Sequence, residues 1–137
     1  MLFRSSAVTF VSTVNNAQAL TVSTGSGAIT FTGIVGGTTA LGALTLNSTG
    51  VTTFSAAVSA ASVTTNAGGS TAINGATITT SGAQIYNDAV TLGAGTTLTT
   101  TDSAVTFVST VNNTQALTVS TGSGAITFTG IDRKSVV

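Results

Sequence analysis

The chain has 137 residues, enough for one domain with a core of its own, yet only 4% of them are charged, where ordinary soluble domains carry about a quarter. It contains no Cys, His, Pro, Trp or Glu, which excludes disulfides and thiolate metal sites and removes most of the side chains that move protons in enzymes. Val, Ile, Leu, Phe and Thr are abundant while charge is scarce, a balance that points to strands rather than to charged disorder.

In chain order, Ala7–Ile34 reads AVTFVSTVNNAQALTVSTGSGAITFTGI. It opens with Phe10 and Val14, continues through an alternating Leu20-Thr21-Val22, turns at Gly25-Ser26-Gly27 and alternates again through Ile29 and Phe31. Gly36-Gly37 breaks the next stretch, Leu44-Thr45-Leu46 repeats the alternation, and Asn47-Ser48-Thr49-Gly50 turns it. Phe54 and Val58 follow, then a Thr- and Gly-rich stretch with Val63, Gly68-Gly69, Ile73 and Ile78, then Tyr86 and Val90 and the turn Gly93-Ala94-Gly95. Ala104–Ile131 closes the sequence as a second copy of the opening block, identical to it except at Thr114, where the first copy has Ala17. Period-two alternation with Gly- and Asn-rich punctuation predicts short strands throughout, and Thr and Gly interrupt every candidate helix.

A shorter period lies inside the long one. Phe10, Phe31, Phe54, Tyr86, Phe107 and Phe128 recur at nearly even spacing, with one longer step from Phe54 to Tyr86. The first five all have a Val at the fourth place after them: Val14, Val35, Val58, Val90 and Val111. A unit of about 21 residues cannot bury an apolar face by itself, but stacked units build a continuous core. Strands in adjacent turns lie about 4.8 Å apart, close enough for equivalent rings to stack. The prediction is therefore an all-β fold, a right-handed parallel β-helix with turns of about 21 residues. These aromatic and Val positions form its internal ladder, along one side of the coil. An antiparallel β-repeat or a sandwich is the alternative. The long step from Phe54 to Tyr86 fits either an inserted half-turn or a loop.

The ends stand apart from this pattern. Met1–Ser5, MLFRS, resembles a translated sequencing-adapter end, GTG CTC TTC CGA TCT with GTG as start codon. Asp132–Val137, DRKSVV, resembles the opposite strand, GAT CGG AAG AGC GTC GTG and then a stop. Residues 6–131 are accordingly expected to be the repeat fragment, with non-native ends at 1–5 and 132–137. Arg4, Arg133 and Lys134, all the basic residues, fall in those ends. The repeat segment retains only Asp88 and Asp102 as charges and cannot neutralise phosphates, so nucleic acid is not an expected partner. No apolar run reaches the roughly 18 residues of a membrane span, and no membrane insertion is expected of this segment.

The units VTFxxxVxxxxxLTVxT, GGSTAINGATITTSGAQIYNDAVTLGAGTTLT and GAITFTG resemble the strand repeats of bacterial filamentous haemagglutinin-like and autotransporter-type surface proteins. The resemblance spans nearly all of Ser6–Ile131. It implies a secreted or outer-surface location, a long β-helical shaft as parent, and a structural stalk or adhesin role in adhesion or biofilm. The partners it implies are neighbouring repeats of the same chain and a host or matrix surface.

Neither a catalytic, cofactor nor metal site is expected. Asp88 and Asp102 could in principle pair as in a glycosidase, but Asn87-Asp88 and Thr101-Asp102-Ser103 read as turns in which Asp bonds nearby backbone. Two isolated carboxylates also make a poor calcium cage. Tyr86 is read as a ladder residue, Asn15-Asn16 and Asn112-Asn113 as corners rather than sugar contacts or amide ladders, and Asn47-Ser48-Thr49 as a formal glycosylation match only. Gly25-Ser26-Gly27 is a turn and not a phosphate loop, since no helix follows it. The alternative function is a ligand-binding solenoid face for ice or polysaccharide, without catalysis. Against ice, Thr30/Thr32, Thr77/Thr79 and Thr99/Thr101 do not recur at one place in the repeat.

Overall fold

Apolar residues alternating with Thr or Ser turn one side of each segment toward a core, and Gly, Asn and Ser pairs bend the chain between segments. The structure, a computed structural model, describes residues 6–75, 77–112 and 114–131. The expectations for 1–5 and 132–137 lie outside the described residues. Within these there are fifteen strands and no helix. All strand pairs are parallel, and the chain winds into a β-solenoid of about 6 turns with roughly 21 residues per turn. The antiparallel and sandwich alternatives are not what forms.

Each turn visits three strand rows. The first row stacks β1 (Val8–Phe10), β3 (Ile29–Phe31), β5 (Val51–Phe54), β7 (Ser70–Ile73), β10 (Ala89–Leu92) and β13 (Val111–Asn112). The third row stacks β2 (Leu20–Gly25), β4 (Leu41–Ser48), β6 (Val58–Thr65), β9 (Gln84–Tyr86), β12 (Val105–Phe107) and β15 (Ile126–Phe128). Between them, the second row contains β8 (Thr77–Thr80), β11 (Thr96–Thr100) and β14 (Leu117–Ser120). It continues through the leading half of β6 and the bridges Val14–Val35 and Val35–Val58. The long strands β4 and β6 run on from the second row into the third, which joins these two rows into one nine-stranded sheet.

The core is a set of columns running along the solenoid. In the second row, Val14, Val35, Val58, Ile78, Leu98 and Val119 stack in register. In the third, Leu20, Leu44, Val63, Gln84, Val105 and Ile126 do so. The first row adds Val8, Ile29, Thr52, Thr71, Val90 and Val111. Turn length varies along that column: the step from Ile29 to Thr52 is the longest, and those from Thr52 to Thr71 and from Thr71 to Val90 are the shortest. The long turn has a local cause. Val35 pairs with Val58, but Leu41 pairs with Ala60, a shorter step along the chain, so the extra length lies in the loop from Gly36 to Ala40. Gly36 makes that loop possible: its φ is +70°, and a Cβ there would sit 2.0 Å from the Ser59 carbonyl oxygen.

The aromatic ladder departs from the expected single column. Phe10, Phe31 and Phe54 stack in the first row, with ring centroids 4.6 and 5.5 Å apart, and the column continues as Ile73 and Leu92. Tyr86, Phe107 and Phe128 stack in the third row, at 5.3 and 4.8 Å, on a column that begins Val22, Leu46, Thr65. The Val residues divide likewise: Val14, Val35 and Val58 lie in the second row, Val90 and Val111 in the first. The long step from Phe54 to Tyr86 is a complete turn plus a further part-turn, carried by β6, β7 and β8 without a loop off the coil.

The two near-identical blocks consequently occupy different rows. Val8–Phe10 lies in the first row and its copy Val105–Phe107 in the third; Leu20–Gly25 lies in the third and its copy Leu117–Ser120 in the second. Their internal register is nonetheless the same, Val8 on Ile29 and Val105 on Ile126. So is the corner they carry. Thr24 Oγ1 donates to the Gly27 carbonyl at 2.5 Å and Thr121 Oγ1 to that of Gly124 at 2.6 Å, with Gly25 at φ +65° and Gly122 at +60°.

Corners set the tolerance of the stack. A Cβ on Gly69 would lie 2.4 Å from the Gly50 carbonyl oxygen and 2.6 Å from that of Ser48. Backbone cannot yield as a flexible side chain can, so Gly69→Ala is expected to lose about 1–3 kcal/mol, seen as a lower denaturation midpoint. An unchanged midpoint would show that the turns are not packed this closely.

Candidate functional site

Inward Thr residues spend their hydroxyls on the protein. Thr80 donates to the Gly82 carbonyl at 2.6 Å, Thr96 to that of Ala94 at 3.0 Å, and Thr100 to that of Ser103. No buried side-chain polar atom among the described residues lacks a partner. The outward Thr and Ser of the second row behave differently. Because β8, β11 and β14 are four or five residues long, each has two outward positions. Thr77, Thr97 and Thr118 form one column, and Thr79, Thr99 and Ser120 the next. All six side chains are exposed or half-exposed, and no hydrogen bond to another described residue engages their hydroxyls. The first row presents an outward column of Thr9, Thr30, Thr53, Ala72, Thr91 and Asn112 and, beside it, a shorter one of Val51, Ser70 and Ala89, so its second column is not one of hydroxyls.

A shallow groove of about 300 Å³ borders this double column. Leu41, Ala60 and Thr80 lie along it with Ser59, Thr79 and Thr101, where the second row meets the third. Its lining carries hydroxyls and methyls but no charge. The arrangement can donate and accept hydrogen bonds over a flat, fixed area; it offers no nucleophile with an adjacent base and no cluster of carboxylates. Among the described residues, no three His, Cys, Asp or Glu come together as metal ligands.

Asp88 and Asp102 lie at different corners and form no pair. Asp88 follows β9 at the turn into the first row and is buried. Its Oδ1 accepts from Thr65 Oγ1 at 2.8 Å and from Thr71 Oγ1 at 2.9 Å, and Oδ2 accepts from Thr71 at 3.0 Å. Burial pushes its carboxyl above the usual carboxylate range, against the opposing pull of those two hydroxyls and of its own backbone amide. Asp102 is exposed, with φ +50°. The Ser123 amide at 2.9 Å and hydroxyl at 3.1 Å hold its carboxyl below the usual range.

No family model matches the chain, and comparison with curated proteins and with solved structures returns no match.

Tyr86 is fully buried, and its hydroxyl donates to Gln84 Oε1 at 3.0 Å. Burial, then the nearby Asp88 carboxylate, pushes the phenol further above its ordinary value. Gln84 Nε2 in turn donates to the Ile78 carbonyl, Thr80 Oγ1 and the Thr99 carbonyl, at 3.2, 3.2 and 3.0 Å. Gln84 sits in an otherwise apolar column, and its sequence context gave no sign of that. Asn15 Oδ1 accepts from the Thr38 amide at 3.0 Å and steadies the 36–40 loop. Asn16 bonds the Gln18 amide and Asn112 the Thr110 hydroxyl; Asn113 lies outside the described residues. Further inter-turn amide contacts occur at Asn47, Asn66 and Asn87, which follow the Leu46–Thr65–Tyr86 column. Asn47 Nδ2 donates to Ser23 Oγ at 3.2 Å, Asn66 Oδ1 accepts from the Ser48 amide at 2.7 Å, and Asn87 Nδ2 donates to the Thr65 carbonyl at 2.7 Å.

Proposed function

We propose that this chain is a shaft segment of a large surface-displayed repeat protein, a stalk that acts in adhesion or biofilm. The observation that supports it most is the additive core. Each turn stacks its inward residues on those of the turns before and after it, in columns continuous in register, so turns can be added without redesigning what is already there. The buried Thr corners and Asn clamps keep the path rigid without disulfides or metal. A surface of Thr, Ser and Asn on which Asp102 is the exposed charge among the described residues suits an exported rod, as does the resemblance to filamentous haemagglutinin-like repeats. Neighbouring repeats of the parent chain are its first partners, and a host or matrix surface its second.

The column positions supply the test. Val111 occupies the place of Val8 five turns on, so a second copy of residues 8–110 inserted after Thr110 continues every column. Small-angle scattering should then show a particle longer by about 24 Å, at about 4.8 Å per turn, with an unchanged cross-section. A second globule, or a thickened particle of the same length, would defeat the shaft reading.

A further inference from the structure

We propose that the double hydroxyl column of the second row is a binding face for the surface of crystalline water. The inference does not depend on where the shaft is displayed.

Thr77, Thr97 and Thr118, beside Thr79, Thr99 and Ser120, are held by two consecutive parallel registers. Neighbouring turns place them about 4.8 Å apart, and alternate residues along a strand are about 6.6 Å apart. The side chains thus form a two-dimensional lattice whose spacings the backbone fixes. Thr is restricted at χ1, which limits the directions in which the five Thr hydroxyls and their methyls can point. A single exposed hydroxyl gains little by exchanging water for a dissolved ligand. A rigid lattice gains when its partner is itself periodic, because every contact forms in one alignment and no further ordering is needed. Methyls beside the hydroxyls restrict the water around them.

Other ligand classes lack what they need here. No basic residue lies among the described residues to meet phosphate. Every described aromatic ring is buried or half-buried in a stack, so no open platform awaits a sugar ring. Asp102, the exposed carboxylate, is engaged by Ser123. What remains is uncharged, short, periodic and unspent on the protein. The pairing Thr97/Thr99, rather than Thr99/Thr101, brings β11 into phase with Thr77/Thr79 and removes the apparent irregularity of the Thr-x-Thr pattern.

The test is ice growth in a supercooled solution of the 137-residue chain, followed under a microscope, with circular dichroism to confirm strand content. The intact chain should slow growth and facet the crystals. Thr97→Tyr, at the centre of the lattice, should lose that effect, and Thr106→Tyr, at the one outward position of β12 in the third row, should keep it. A folded chain without effect on ice overturns the proposal, as does full activity in Thr97→Tyr. Co-sedimentation with microcrystalline cellulose in the absence of any effect on ice also overturns it, and reassigns the face to a hydroxylated polymer.

Discussion

Phe31→Ala is expected to cost about 3–5 kcal/mol, and Phe54→Ala a similar amount, each read as a lower denaturation midpoint. Both rings are fully buried. Phe31 has a ring on either side, at 4.6 and 5.5 Å, so its truncation removes contacts from two neighbouring turns as well as opening a cavity. Stacked pairs contribute about 0.5–1.5 kcal/mol beyond area, which a double-mutant cycle can isolate. Phe31 and Phe54 should show such coupling, and so should Tyr86 and Phe107. Phe54 and Tyr86 should be additive, because they belong to different rows. Coupling between Phe54 and Tyr86 comparable to that within either stack would contradict the two-ladder arrangement and restore a single column. Phe128→Ala should cost less, since that ring is half-exposed.

The fold class was legible because its cause is periodic: an apolar pattern that recurs once per turn can be satisfied by stacking and by little else. Which row each residue joins was not legible. The [FY]-x-x-x-V spacing survives unchanged when a block advances by one row, since Phe107 and Val111 keep the separation of Phe10 and Val14. All three rows want the same thing, apolar residues inward and Thr outward, so sequence identity does not label a row. The shift becomes visible only through turn length. From Phe54 to Leu92 the first row runs in shorter turns, Phe54 to Ile73 and Ile73 to Leu92, and the second block starts before the first-row column returns to its position. Row identity is set by accumulated length, which neither local alternation nor the aromatic spacing records.

The candidate face was half legible for the same reason. Thr-x-Thr pairs are plain in the sequence, but β11 offers both Thr97/Thr99 and Thr99/Thr101, and only the pairing of Leu98 with Ile78 and Val119 decides between them. Gln84 was hidden by its own context, since an amide between Ala83 and Ile85 gives no hint that it faces a column of Leu and Val. Its partners are Ile78, Thr80 and Thr99, contributed by the neighbouring strands β8 and β11. The sequence around Asp88 predicts a turn residue. Asp88 does occupy a corner, but one closed over by Thr65 and Thr71, which gives it a consequence that an exposed turn Asp lacks.

That consequence is an acid-shifted stability profile. Burial raises the Asp88 carboxyl above its ordinary 3.8, so between 3.8 and the raised value the folded chain binds a proton that the unfolded chain does not. By linkage, the stability from this group is complete below the unfolded pKa and is lost as pH rises through the folded one. Asp102 has the opposite sign. Its carboxyl lies below 3.8 in the fold, so its contribution is present above the unfolded pKa and is lost as pH falls through the depressed value. Together these two make stability fall as pH rises from the ordinary carboxylate range toward neutrality. Asp88→Asn should flatten the decline from pH 4 toward 7 while keeping a carbonyl oxygen in reach of the two Thr hydroxyls. Asp88→Ala should also remove the slope, but at a cost of about 1–3 kcal/mol for each buried hydroxyl left without its acceptor. Urea titrations of the three proteins at pH 4, 5.5 and 7 measure all of this. A wild-type midpoint that climbs steadily from pH 4 to 7, and loses that climb in Asp88→Asn, would mean that the Asp88 carboxylate is favoured by the fold, not resisted by it.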